Sequence, residues 1–200
     1  MPKHFDADII EFLKKPENLP VALEIGHYAS ELRDTLSSNF WNGLRGKLLA
    51  DKASVFTKTE FVVVRIGSGG RWTGWALIPK VASKQRQVLS FAVEWESLED
   101  NHDIYIGLRW KVEVPKKDKQ YADGLLADLR AVMMQNGYEA WDPWWVGGRY
   151  VLKYPNPDVF LITYNNEPAS IEDSLSSAFW KMATDYKSFV DKINAGLADR

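Results

Sequence analysis

The chain has no cysteine, which excludes disulfides, thiolate nucleophiles and cysteine-ligated metal sites. Its formal net charge is only −2. No general electrostatic pull toward nucleic acid or acidic membranes follows, although a local basic patch is compatible with that balance. His4, His27 and His102 fall in different segments with no ligand spacing, so no zinc site is read from them. No apolar run of about 18 residues occurs, and the opening MPKHFDADIIEFLKK carries acids within its apolar part, unlike a signal peptide. The expectation is a soluble, cytoplasmic protein with no cofactor and no bound metal.

Catalytic signatures are missing too. The loop from Gly67 to Gly70 lacks the lysine and hydroxyl of a phosphate-binding loop and precedes a strand rather than a helix, so it reads as a hairpin turn. No Gly-x-Ser-x-Gly elbow is present. The nuclease core in which an acid-x-lysine triplet sits on a strand is not matched either. The corresponding triplets here are Glu94-Trp95-Glu96 and Arg109-Trp110-Lys111. In layout alone, with paired strands, a leucine-rich helix, another strand pair and a closing helix containing Phe179-Trp180, the chain is similar to small domains found beside restriction-type nucleases. That likeness assigns no catalytic residue.

What the chain does have is rings. Nine Trp, eight Tyr and nine Phe make 13% of 200 residues, a tryptophan share far above ordinary composition. Such side chains either fill a core or mark a binding surface where one ring edge stays wet. The length suits one α+β domain over residues 1–200, with residues 1–20 as a peripheral helical arm.

The most regular stretch is residues 103–114. Ile104, Ile106, Leu108, Trp110, Val112 and Val114 alternate there with Asp103, Tyr105, Gly107, Arg109, Lys111 and Glu113. Period two makes a strand with one dry face. Residues 87–96 alternate likewise, with Leu89, Phe91, Val93 and Trp95 dry and Ser90, Ala92, Glu94 and Glu96 wet. The short link between them folds the two antiparallel. For their dry faces to coincide, Trp95 must oppose Ile104, Glu94 Tyr105, Ala92 Gly107, and Ser90 Arg109. Residues 59–66 and 71–78 form a second hairpin.

Helices are expected over residues 5–15, 21–50, after Pro115, and from Ser170 onward. Their apolar stripes include Tyr28, Leu32, Leu36, Phe40, Leu44 and Leu48 in the second, and Ile171, Leu175, Phe179, Met182, Tyr186, Val190 and Ile193 in the last. The second suits a dimer interface as well as a core. Gly26 and Gly43 mark sites for a kink in it, and Ser170 with Asp173 resembles a capping box. Gly147-Gly148 reads as a reversal, residues 150–154 as a strand, the Pro155 to Asp158 segment as a turn between strands, and residues 159–164 as the last strand. The fold class expected is α+β, a mostly antiparallel sheet of five to seven strands with helices on one face and long helices near both ends.

Two constellations can carry function. The first is the wet hairpin face with Glu94, Glu96, Tyr105, Arg109, Lys111 and Glu113, above a shallow hollow at Ala92 and Gly107. It is either a solvated face with cross-strand ion pairs or a site for a charged ligand. If the chain is an enzyme, Glu94, Glu96 and Lys111 are the catalytic candidates, in a hydrolase using a divalent ion. The second is Trp141, Trp144 and Trp145 with Arg149 and Tyr150, which either plug the end of the sheet or grip a partner. Absent a catalytic signature, the leading expectation is a non-enzymatic interaction module, its partner most simply another protein. Its binding residues would be Trp141, Trp144, Trp145, Arg149, Tyr150, Tyr105 and Arg109. Nucleic-acid binding through Arg71, Lys84, Arg86, Arg149 and the tryptophans is the third reading.

Overall fold

A computed structural model describes residues 3–51, 61–67, 71–80, 88–98, 101–111, 116–141 and 144–198. Two helices, α1 (Lys3–Leu13) and α2 (Leu19–Ala50), precede four strands, β1 (Phe61–Ile66), β2 (Trp72–Pro79), β3 (Leu89–Leu98) and β4 (Asn101–Trp110). Then come α3 (Lys116–Gln135), β5 (Glu139–Trp141), β6 (Trp145–Tyr154), α4 (Pro157–Asn166) and α5 (Pro168–Ala198). The six strands form one antiparallel sheet in the order β1-β2-β3-β4-β6-β5. The chain therefore has the expected α+β architecture. Val112, Glu113, Val114, Lys84 and Arg86 lie outside the described residues.

The expected register is found residue for residue. Trp95 pairs with Ile104, Glu94 with Tyr105, Ala92 with Gly107 and Ser90 with Arg109. The dry side of this hairpin faces the helices. Phe91, Val93, Ile104, Ile106 and Leu108 are fully buried there with Leu175, Phe179 and Val190 of α5. Side-chain amides and indoles tie the layers together. Asn194 of α5 donates to the Leu89 carbonyl at 2.9 Å and accepts from the Leu89 N–H at 2.8 Å. Trp75 of β2 donates to the Trp41 carbonyl at 2.9 Å, and Trp180 of α5 to that of Leu48 at 3.2 Å. Each bond satisfies a buried donor that would otherwise cost about 1–3 kcal/mol.

Four expectations are corrected. Residues 159–164 are helical, not a strand. Asn156 accepts the Val159 N–H at 3.0 Å, Pro157 fills the first turn and Asp158 adds a favourable charge, so Phe160, Leu161 and Tyr164 reach the core from one helical face. Gly147-Gly148 is no reversal but the interior of β6, paired with Leu108 and Gly107. A Cβ at Gly148 would run into the Trp141 ring and one at Gly147 would meet the Met133 side chain at 2.8 Å. Those glycines admit side chains onto both faces of the strand. Ser170 lies inside α5, which opens at Pro168. Finally, α2 runs unbroken through Gly26 and Gly43, and Gly43 instead makes room for Glu172 of α5, which accepts from the Tyr164 hydroxyl at 2.8 Å.

The stripe of α2 divides in two. Phe40, Trp41, Leu44 and Leu48 are buried, whereas Tyr28 and Leu32 are each 58% exposed. Ile9, Ile10 and Phe12 of α1 are exposed as well.

His102 is buried among rings, stacked on Phe160 at 4.5 Å and edge-on to Trp95 at 4.8 Å. Neither ring nitrogen has a hydrogen-bond partner among the described residues. Burial without a partner lowers its pKa from 6.5 to about 4. Between those values the unfolded chain binds more protons than the folded one. The stability associated with neutral His102 is complete above pH 6.5 and is lost as pH falls toward 4, by about 3 kcal/mol. Urea unfolding at pH 7 and pH 4.5 is expected to show this loss, and His102→Phe is expected to shrink it. An unchanged acid slope in that variant would mean that His102 is not the source of the acid loss.

Candidate functional site

Among the described residues no helix contributes to the cluster buried on the other face of the sheet, yet that face is not simply wet. Glu94, Asp103 and Tyr105 are nearly fully buried. Tryptophans from the β5–β6 end of the sheet pack on Tyr105 and line one cavity with it and Glu94. Trp141 lies edge-on to Tyr105 at 5.4 Å, Trp145 at 4.9 Å and Tyr150 at 5.8 Å. Aromatic pairs in such edge-to-face arrangements contribute about 0.5–1.5 kcal/mol beyond their area. The solvated-face expectation is corrected to this extent, because tryptophans from residues 141–145 fold back over the charges.

The register explains how the hollow forms. Ala76 pairs with Ala92, Ala92 with Gly107, and Gly107 with Gly148. Four small residues thus run across four strands, on the face where Trp141 rests on Gly148. Beside this row opens a cavity of about 480 Å³. Its walls are Trp72, Trp141, Trp144, Trp145 and Tyr150, and Glu94, Glu96, Tyr105 and Arg109 bring polar atoms to its lining. That volume suits a small-molecule-sized or side-chain-sized guest, mostly apolar in contact with a few polar groups to orient it.

The polar floor is wired. The Tyr105 hydroxyl donates to Glu94 Oε1 at 2.8 Å and Arg109 Nη1 donates to Glu94 Oε2 at 3.0 Å. Burial pushes the Glu94 carboxyl above its ordinary range, while Arg109 and then the Tyr105 hydroxyl pull it back in part. Burial, with Glu94 beside it, raises the Tyr105 hydroxyl far out of the physiological range, so it stays a neutral donor. The Arg109 guanidinium sits 5.6 Å from the Trp144 ring and 5.7 Å from that of Trp145. At the rim, Arg71 pairs with Glu96 and lies over Trp72 at 4.6 Å. Two acids and two guanidiniums leave the cavity close to neutral.

Of the residues singled out from the sequence, Trp141, Trp144, Trp145, Tyr150, Tyr105, Arg109, Glu94 and Glu96 meet here. Arg149 does not. It neighbours Tyr150 on a strand, so it points to the opposite face, 4.9 Å from the Tyr138 ring. Lys111 lines a neighbouring hollow of about 470 Å³, which shares Arg109 and Trp144 with the first. The catalytic trio Glu94, Glu96 and Lys111 is therefore divided between two hollows. Trp72 was not singled out as a member of this site, and Arg71 was named only in the nucleic-acid reading, apart from Glu96. Their signal was the pairing of Trp72 with Glu96, which the hairpin parity could have supplied. Among the described residues no group of three or more His, Asp or Glu side chains could hold a metal ion, and no helix is long and apolar enough to cross a membrane.

No protein-family model matches the chain, and neither a characterised protein nor a solved structure was found to match it.

Proposed function

We propose that this chain is a non-enzymatic binding module, cytoplasmic in setting, whose contact surface is the aromatic cavity on the face of the sheet opposite the helix-side core. The observation that supports this most is the half-exposed state of Trp72 and Trp144, at 43% and 37%, at the mouth of a cavity with a wired polar floor. Rings that served only as a plug would be covered, whereas anchors that desolvate on binding sit half-open in the free protein. A protein side chain and a nucleic-acid base are both small enough to enter, and either would place the rest of the partner across the rim. The hydrolase alternative gains less support. Both oxygens of Glu94 already accept hydrogen bonds within the protein, and Lys111 opens elsewhere.

The test is capture from the native host with the purified chain as bait, repeated with Trp72→Ala/Trp144→Ala. Trp145 is 7% exposed and belongs to the packing under the cavity, so it is left intact. A partner held by the wild type and released by the folded double variant is the expected result. Retention of every partner by that variant would overturn the proposal.

A further inference from the structure

We infer that the cavity is built for a guanine base. The inference rests on the cavity being the binding surface and names what enters it. Glu96 Oε2 and Arg109 Nη2 have no partner among the described residues, while the remaining Arg109 and Glu96 hydrogen bonds are internal. Glu96 and Arg109 both line the same ring-walled space, each with a polar atom left to pair, and Arg109 Nε is buried there without a partner as well.

A ligand cation is disfavoured, because the protein's own guanidiniums already sit against Trp72, Trp144 and Trp145. A purely apolar side chain such as leucine or phenylalanine would close over Glu96 and Arg109 and offer them no hydrogen bond. A flat ring with donors and acceptors on adjoining edges satisfies both groups while stacking on the walls. Adenine and cytosine also carry an adjoining donor and acceptor, but guanine is the base whose acceptor pair suits an arginine and whose donor pair suits a carboxylate. Its O6 and N7 accept from an arginine, and its N1–H and N2–H groups, next along the perimeter, donate to a carboxylate. The near-neutral charge of the site agrees with recognition through the base. It predicts a shallow salt dependence, unlike binding dominated by phosphate contacts.

The experiment is a titration of the full chain with GMP, AMP, CMP and UMP, read by tryptophan fluorescence and calorimetry. A single-stranded oligonucleotide carrying one guanine and another carrying none are titrated alongside. GMP, or the guanine oligonucleotide, is expected to bind about 10-fold or more tightly than its counterparts. Equal affinity for GMP and the guanine oligonucleotide would indicate a free nucleotide as the natural ligand, and a much tighter oligonucleotide would indicate single-stranded nucleic acid. Glu96→Gln, at the rim and mild in shape, is expected to weaken guanine binding by about 10-fold at an unchanged unfolding temperature. Absence of guanine preference in both series overturns the inference. If capture of a partner still depends on Trp72 and Trp144 in that case, the binding module stands and only its ligand class falls. If capture does not depend on them, both fall.

Discussion

Glu94→Ala is expected to destabilise the protein by about 3–5 kcal/mol, the range for removing one partner of a buried ion pair. The Glu94 and Arg109 side chains are 6% and 14% exposed, so the guanidinium left behind has little water to turn to. Tyr105 would also lose the acceptor for its hydroxyl. The cost belongs to the orphaned groups, not to the intact pair, whose attraction is largely cancelled by desolvation. Glu94→Met combined with Arg109→Met is therefore expected to recover most of the loss, because a neutral pair of similar volume leaves no buried charge. Urea unfolding of the two variants measures both quantities. A single variant within about 1 kcal/mol of wild type would mean that Arg109 reaches solvent freely and that the floor of the cavity is not the closed network described.

The second large effect lies in the helix-side core. Phe40 is fully buried and joins three elements through its ring. It stacks on Trp95 of β3 at 5.8 Å and meets Phe160 and Tyr164 of α4 edge-on at 5.0 and 5.3 Å. Phe40→Ala removes the ring and leaves a void that neighbours from three elements cannot all close. A loss of about 3–5 kcal/mol is expected, lowering the melting temperature by about 6–20 °C in a chain of this size. Leu32→Ala, two helical turns away on the same stripe but 58% exposed, is expected to stay within about 0.5 kcal/mol. Equal effects at the two positions would contradict the division of α2 into a buried and an exposed half.

The hairpin at the centre of the sheet was legible because two alternating strands joined by a short link leave few pairings that keep charges out of the core. The register of Glu94 with Tyr105 follows from that rule alone. The hollow at Ala92 and Gly107 was legible for the same reason. What covered it was not. Trp141 belongs to β5, an edge strand separated from β4 by the whole of α3, and nothing local tells which face a distant tryptophan will lie on. The charged residues therefore read as solvated when they are mostly enclosed.

Residues 159–164 misled differently. Their β-branched and aromatic composition suits a strand, but the packing of Phe160 and Tyr164 beside Phe40 favours a helix. The capping signal Asn156-Pro157-Asp158 was present and was outweighed by composition. At Gly147-Gly148 the error was to assign glycine to a turn when close approach of Trp141 and Met133 was the reason.

The nine tryptophans offer the most direct test of the central claim. Trp72, Trp141, Trp144 and Trp145 line the cavity, and Trp41, Trp75, Trp95, Trp110 and Trp180 belong to the helix-side core. Assigned indole N–H resonances, followed by NMR as the captured partner is added, therefore report separately on the two faces of the sheet. The four cavity signals are expected to shift or broaden while the five core signals keep their positions. A bound partner that leaves all four cavity signals in place, and perturbs the helix side instead, would contradict it.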